Sequence, residues 1–149
     1  MVNYILNEGE HYLTIDINSN SALHKSYFYF ELKDYIEGKI TESQFKTGAN
    51  NFVKYADMHY DPVVSMAGTI VGVINGFVPS KKATVAGYCK HAADMFNQLS
   101  YDIARSIYPK WEIRMIVKRV STNDGSYIDI PIGRTITGYY TPTGQKLMS

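Results

Sequence analysis

The first part of the chain alternates between apolar and polar residues. Across residues 11–17 every second side chain is apolar, so Leu13, Ile15 and Ile17 share one face, which predicts a half-buried strand. Residues 3–6 are predicted to pair with this strand as a hairpin, across a turn signal that contains glycine. The polar residues that follow Ile17 break the alternation and supply candidates for the N-cap of a helix.

Residues 22–37 carry two competing patterns. The aromatic run over residues 27–30 favours a strand by propensity. Four residues at helical spacing favour a helix instead: Leu23, Tyr27, Phe30 and Asp34. Gly38 follows at the position where a helix commonly ends in glycine, and the segment is therefore interpreted as a helix.

A capping box marks the start of the next helix. The Thr41 side chain is placed to accept from the backbone amide of Gln44, whose own side chain reaches back to the amide of Thr41. Ile40 and Phe45 flank this box as a hydrophobic staple. The helix is predicted over residues 42–58, with four side chains on its buried face: Phe45, Ala49, Phe52 and Ala56.

Two more helices are predicted in the central part of the chain. Residues 62–79 contain no charged side chain, and we expect a helix that Asp61 caps and Pro79 ends. Ser80 is predicted to cap a long amphipathic helix over residues 81–108. Its apolar face carries residues at steps of three and four: Val85, Cys89, Ala92, Phe96, Leu99, Ile103 and Ile107.

The C-terminal part of the chain changes to strand patterns. Three strands are predicted: residues 111–120, 127–132 and 135–140. Asn123-Asp124-Gly125 predicts the turn between the first two, and Pro131 indicates an edge position or a bulge. Residues 141–149 are expected to be loose.

These elements together predict one α+β domain over residues 1–149. The expected architecture is an N-terminal β-hairpin, a central bundle of three to four helices that includes a buried glycine-zipper helix, and a C-terminal antiparallel β-meander. The terminal strands are expected to share one sheet, with the helices on one of its faces.

Composition narrows the class of protein. The chain has 149 residues, of which 45% are hydrophobic and 19% charged, so it can bury a core without disulfides or metals. A net charge of +1 makes nucleic-acid binding an unfavoured interpretation.

The start of the sequence has no basic segment followed by an apolar one, the pattern of a secretory leader, so we expect a cytoplasmic protein or a secreted one whose leader was removed. Its frequent tyrosine, isoleucine, asparagine and lysine are associated with a microbial or phage origin.

A stripe of small residues is the most distinctive motif. It lies along one face of the predicted helix over residues 62–79: Ser65, Gly68, Gly72 and Gly76. Each glycine costs a helix about 1 kcal/mol relative to alanine, so the stripe predicts close packing on the next helix through Ala83, Ala86 and Gly87. The alternative is membrane insertion, because the uncharged stretch approaches the lower limit for a span. In this respect the stripe resembles segments of small toxin-like or bacteriocin-like proteins.

A second candidate site is polar. Asp57, His59 and Asp61 place two carboxylates around an imidazole, and His91 lies on the long helix. Asp61 is already explained as a helix cap, and no further ligand lies at a diagnostic spacing, so neither a metal nor a cofactor is predicted. Cys89, the single cysteine, points away from His91 on the same helix and is interpreted as a core residue.

Tyrosines and basic residues supply a third candidate, a contact surface. The chain has 13 tyrosines, a residue type that suits half-buried strands and protein interfaces. The candidate contact residues are Tyr27, Tyr29, Arg114, Lys118, Tyr127 and Arg134. Lys81 and Lys82 add to the basic positions that can form a local patch.

The function expected from these observations is that of a non-enzymatic protein-binding domain, an inhibitor or an accessory factor. A protein partner of unknown identity is expected, and the oligomeric state stays open. The first alternative is a membrane-active protein that inserts residues 62–79. The second is a small enzyme with a dispersed site around His59 or His91, a kind of site that leaves no local motif.

Overall fold

The structure is a computed structural model that describes residues 10–56 and 67–149, with side-chain surroundings for residues 12–50 and 70–149. Its elements follow in chain order: β1 (Glu10–Asn18), α1 (Ser19–Ile36), α2 (Glu42–Ala56), α3 (Ala67–Gly76), α4 (Pro79–Arg105), β2 (Lys110–Ser121), β3 (Tyr127–Tyr140) and β4 (Lys146–Met148). The predicted α+β class is confirmed, with a strand, then helices, then strands.

The four strands form one antiparallel sheet in the order β1-β2-β3-β4. β1 pairs along its whole length with β2, from Glu10 opposite Lys118 to Asn18 opposite Lys110. The terminal strands therefore share a sheet, as predicted. The predicted hairpin partner of β1, residues 3–6, lies outside the described residues.

α1 confirms the predicted helix, although it begins at Ser19, three residues before the predicted start, with Asn18 as its N-cap. The side chain of Asn18 accepts from the amide of Ser21 at 2.8 Å, and the hydroxyl of Ser21 donates back to the backbone of Asn18. At the other end Gly38 has a φ of +76°, the left-handed conformation that suits glycine after a helix.

The buried face of α1 contains the two middle residues of the aromatic run over residues 27–30. Tyr27 and Phe30 are 54% and 51% exposed, whereas Phe28 and Tyr29 are fully buried. Tyr29 stacks on Phe96 of α4 at 5.8 Å between ring centroids, and Phe28 lies 5.8 Å from the ring of Phe45 on α2. The run of aromatic residues supplies apolar side chains to every face of the helix, so its spacing alone does not select the buried one.

α2 begins at the predicted capping box. The Thr41 amide donates to the Gln44 side chain at 2.8 Å, and the Gln44 amide donates to the Thr41 hydroxyl at 3.1 Å. Phe45 and Ala49 are fully buried, and Ile40 packs against the core that contains Phe45. The surroundings of the Phe52 and Ala56 side chains lie outside the described part of the chain.

The boundaries of α4 correct two predictions. Pro79 does not end the preceding helix but is the first residue of α4, where its missing amide costs nothing. The N-cap is therefore Val78, not Ser80, and it makes no side-chain hydrogen bond. α4 also ends at Arg105 rather than at residue 108, because Ser106 turns the chain by accepting from the amide of Tyr108 at 2.8 Å. As a result, Ile107 is 81% exposed instead of buried.

β3 is one long strand rather than the two predicted ones. It stays paired with β2 through two irregularities, one of which shifts the register between Ile116 and Val117. Val117 then lies opposite Pro131, so the bulge predicted from this proline is confirmed. The C-terminal tail is also ordered, contrary to expectation, because Gly144 at φ +90° allows a turn into β4.

The hydrophobic core lies between the sheet and the helices. Alternate residues of β1 and of the first part of β2 are buried: Leu13, Ile15, Ile17, Trp111, Ile113, Met115 and Val117. α4 contributes more of the buried helical side chains than any other helix in the described ranges, and it contacts β1, β2 and β3. α4, with the helices packed against it, thus covers one face of the sheet.

Candidate functional site: a groove between two helices

α1 and α4 pack as an antiparallel pair that small polar residues hold in register. The hydroxyl of Ser26 donates to the carbonyl of Ala93 at 2.8 Å. Near the start of α1, Ser19 donates to the carbonyl of Ser100 at 2.8 Å, and Ser100 donates to the carbonyl of Ser19 at 2.8 Å. These bonds fix which turns of the two helices face each other, and they bring the end of α1 beside the beginning of α4.

An open groove of about 660 Å³ lies where the end of α1 meets the start of α4. It is lined by five apolar residues, four lysines and one glutamate: Ile36, Pro79, Ala83, Ala86, Gly87, Lys33, Lys39, Lys82, Lys90 and Glu37. We call it the lysine groove. Its volume lies within the range of about 300–1,000 Å³ that is usual for ligand pockets.

Positive charge predominates around the groove. Its lining carries four positive charges and one negative charge, although the whole chain has a net charge of only +1. Glu37 pairs with Lys33 at 3.0 Å and with Lys39 at 3.2 Å. The hydrogen bond from Lys33 lowers the pKa of the Glu37 carboxyl, and the same bond raises the pKa of the Lys33 ammonium.

Two lysines of the groove remain available for other contacts. Among the residues that the structure describes, Lys90 pairs only with Asp94 of its own helix, at 2.8 Å, and both side chains of this pair are largely exposed. Lys82 makes no ion pair or side-chain hydrogen bond with any residue in the described ranges. An exposed ion pair within a helix contributes only about 0.3–0.5 kcal/mol, so an incoming carboxylate can compete for Lys90 as well as bind Lys82.

Exposed aromatic side chains continue the surface along α1. The ammonium of Lys33, which lines the groove, lies 5.1 Å from the centroid of the Phe30 ring. Tyr27 is one turn earlier on the same side of the helix, and its ring makes an edge contact with His24. The apolar lining of the groove and the two exposed rings thus form neighbouring parts of one helical surface.

The predicted contact residues do not come together in the structure. Tyr27 is exposed on α1, but Tyr29 is fully buried, so its assignment to a contact surface is wrong. Arg114 is exposed on the outer face of the sheet, with its guanidinium 4.8 Å from the ring of Tyr12, and the half-buried Lys118 is on the same strand.

The last two predicted contact residues are both on β3. Tyr127, at the start of the strand, packs on the guanidinium of Arg119 at 3.7 Å. Arg134 is half-buried, and its Nε has no hydrogen-bond partner among the described residues.

A network of polar side chains occupies the outer face of the sheet beyond Arg114. Glu112 pairs with Lys146 of β4 and accepts from the hydroxyl of Thr137 at 2.8 Å. These two hydrogen bonds, the one from Lys146 first, lower the pKa of Glu112. Tyr140 donates to Asp16 at 2.9 Å, and burial together with this bond raises the pKa of its hydroxyl. The network ties all four strands together.

Only part of the predicted polar site lies within the described residues. Asp57, His59 and Asp61 lie outside the described residues. His91 is exposed on α4, while Cys89 is fully buried, and burial raises the pKa of its thiol. Among residues 10–56 and 67–149, no cluster of three or more acidic, histidine or cysteine side chains is placed to hold a metal ion.

The glycine stripe is partly visible and differs from the expected packing. Gly72 and Gly76 are exposed, and a Cβ built on Gly72 meets no atom within 4 Å in the described part of the chain. Ala83 and Gly87, the expected contacts on α4, are exposed too and line the lysine groove. The surroundings of Ser65 and Gly68 lie outside the described residues, so the full stripe remains a prediction.

Membrane insertion of residues 62–79 likewise remains a prediction. The described part of this segment is α3, which has 10 residues. None of the helices in the described ranges combines the length and the apolar character that crossing a membrane requires.

Sequence reasoning missed the lysine groove as a site. Only Lys82 was noted, as part of a possible basic patch, whereas Lys33, Lys39 and Lys90 are distributed over two helices and a loop. The signal that joins them is the pairing of α1 with α4, which hydrogen bonds from Ser19 and Ser26 to distant residues of α4 define. Comparison of the chain with protein-family models, with curated proteins and with solved structures gave no match in any of the three.

Proposed function

We propose that this protein is a non-enzymatic protein-binding domain, an inhibitor or an accessory factor, that engages its partner through the lysine groove and the adjoining rings of Tyr27 and Phe30. The observation that carries the proposal is the exposure of more than half of both aromatic side chains beside the concave, partly apolar groove. Aromatic residues next to a pocket are the usual anchors of a protein interface.

The chemistry of the described residues supports binding rather than catalysis. The thiol of Cys89 is enclosed in the core, and a buried thiol with a raised pKa stays protonated and is a poor nucleophile. His91 is on the surface of α4 and lines none of the described grooves. The groove itself offers cations and apolar surface, which are suited to holding a partner.

Site-specific crosslinking tests the proposal. A photoreactive phenylalanine analogue replaces Phe30 in one variant and Tyr101 in a matched control, since Tyr101 is similarly exposed, at 56%, but lies close to the far end of α4. In cells that express the protein naturally, we expect a discrete crosslinked partner from position 30 and none from position 101.

A double substitution then tests the energetic contribution of the rings. Tyr27→Ala with Phe30→Ala is expected to weaken binding of the captured partner by about 10-fold or more, because a loss of about 1.4 kcal/mol is already 10-fold and a single anchoring aromatic residue often contributes about 2 kcal/mol. Tyr101→Ala should leave binding unchanged. If position 30 yields no specific crosslink, or if the double variant binds as well as the parent chain, the proposed function is wrong.

A further inference from the structure

The charges of the lysine groove point to the kind of segment that it accepts. Lys82, in the first turn of α4, has no paired carboxylate among the described residues, and among those residues Lys90 pairs only with the exposed Asp94 of its own helix. Lys33 and Lys39 share the carboxylate of Glu37, and Lys33 also pairs with Asp34 at 3.4 Å. Four ammonium groups therefore surround an apolar strip with only one lining carboxylate.

The apolar strip fits a helix in size and shape. From Pro79 to Lys90 the groove follows α4 for about 16 Å, or roughly three helical turns. The residues that α4 presents there are small: Ala83, Ala86 and Gly87. Small side chains let another helix approach closely, while Ile36 of α1 lines the groove from the other helix.

From these observations we infer that the lysine groove binds an acidic amphipathic helix of a partner protein, with its apolar face on Ile36 and the small residues of α4 and its carboxylates on Lys82 and Lys90. The inference rests on the proposed function and specifies the partner. It requires both features of the groove, because the cations alone suit any anion and the apolar strip alone suits any hydrophobic segment.

A pair of designed peptides tests the inference. One is a labelled peptide of about 15 residues with leucine at helical spacing and glutamate elsewhere, and the second has glutamine in place of every glutamate. We expect the chain to bind the glutamate peptide about 10-fold more tightly than the glutamine peptide in about 50 mM NaCl. This preference should largely disappear in about 500 mM NaCl, because salt screens exposed charges.

A charge reversal tests whether the glutamate peptide binds at the lysine groove. Lys82→Glu should weaken binding of the glutamate peptide by about 5-fold or more, since it replaces an attraction with a repulsion. The variant is expected to fold, because a carboxylate in the first turn of a helix interacts favourably with the helix dipole. Arg114→Glu is the matched control: it changes the net charge equally but lies on the exposed face of the sheet. Thermal unfolding of both variants confirms that they are folded.

The possible outcomes separate the inference from the proposed function. Three outcomes would overturn the inference that the groove binds an acidic helix. They are equal binding of the two peptides, no binding of the glutamate peptide, and equal losses of binding in Lys82→Glu and Arg114→Glu. Lys82-dependent binding of single-stranded oligonucleotides or of phosphatidylglycerol vesicles in preference to the peptide would overturn it too. If position 30 still crosslinks to a specific protein in these cases, the binding function stands and only the class of its partner is wrong.

Discussion

Arg119 and Asp129 lie opposite each other on β2 and β3 and form a bidentate ion pair. Two guanidinium nitrogens reach the two carboxylate oxygens at 2.9 and 3.0 Å, and the ring of Tyr127 covers the guanidinium. Only 12% of the arginine side chain and 3% of the aspartate side chain are exposed. Because so little of either side chain is exposed, water cannot stabilise one of the two charges after the other has been removed.

The first prediction concerns this pair. Asp129→Asn should lower the free energy of unfolding by about 3 kcal/mol, since removal of one partner leaves the other charge buried. Urea denaturation measures the change. Glu42→Gln is the control, because it breaks the exposed pair with Lys46 and should cost no more than about 0.5 kcal/mol. Similar losses in the two variants would show that burial does not govern the first pair.

The second prediction concerns pH and the carboxyl of Glu112. Its pKa is lowered in the folded state by the hydrogen bonds from Lys146 and Thr137, so its stabilising effect is present above the unfolded pKa of about 4.3 and is lost as the pH falls through the folded pKa. Glu112→Gln should therefore be less stable than the parent chain at pH 6, and the difference should shrink as the pH falls below about 4. Urea denaturation across this range checks it, and a constant difference at every pH would contradict it.

At the scale of elements, helices were easier to predict than the faces that they bury. The capping box of α2 and the caps of α1 follow from local hydrogen bonds between neighbouring residues, and all of them are present. The helical spacing of Tyr27 and Phe30 indicates a helix, but the residues of this run that the core contains are Phe28 and Tyr29. All four are aromatic, so only their contacts with α2 and α4 distinguish them.

The third prediction tests the glycine face of α3. Gly72→Ala should raise the free energy of unfolding by about 0.5–1 kcal/mol, because alanine is the better helix former and the added methyl group meets open space among the described residues. Gly125→Ala is a contrasting control: its φ of +88° strains any other residue, and a loss of about 1 kcal/mol is expected. Chemical denaturation measures both. A loss of stability in Gly72→Ala would instead support close packing of the glycine stripe.

At the scale of the whole molecule, one hydrophobic core joins the sheet to the helices. Phe96 of α4 is fully buried and stacks on Tyr29 of α1, and the same core includes Trp111 of β2. Because these side chains belong to one cluster, the helices and the sheet should lose their structure together. This expectation agrees with the single domain predicted from the sequence.

The fourth prediction follows from this shared core. Phe96→Ala should lower the free energy of unfolding by about 4 kcal/mol, since it removes a large side chain from a closely packed site. In both the parent chain and the variant, far-ultraviolet circular dichroism, which reports the helices, and Trp111 fluorescence, which reports the sheet, should give the same midpoint. Two separate midpoints would indicate that the helices and the sheet unfold independently.

The sequence by itself determined the presence of the helices, of β1 and of β2, and the α+β class, because periodicity, caps and turns depend on residues close together in the chain. Thr41 with Gln44, Gly38 and the turn at Gly125 are of this kind. The lysine groove was decided only by the tertiary structure. Its cations come from α1, from Lys39 and from α4, which meet because Ser19 and Ser26 bond to residues more than 60 positions away. Such long-range packing leaves no local pattern, and the site that it creates becomes visible only after the helices are placed.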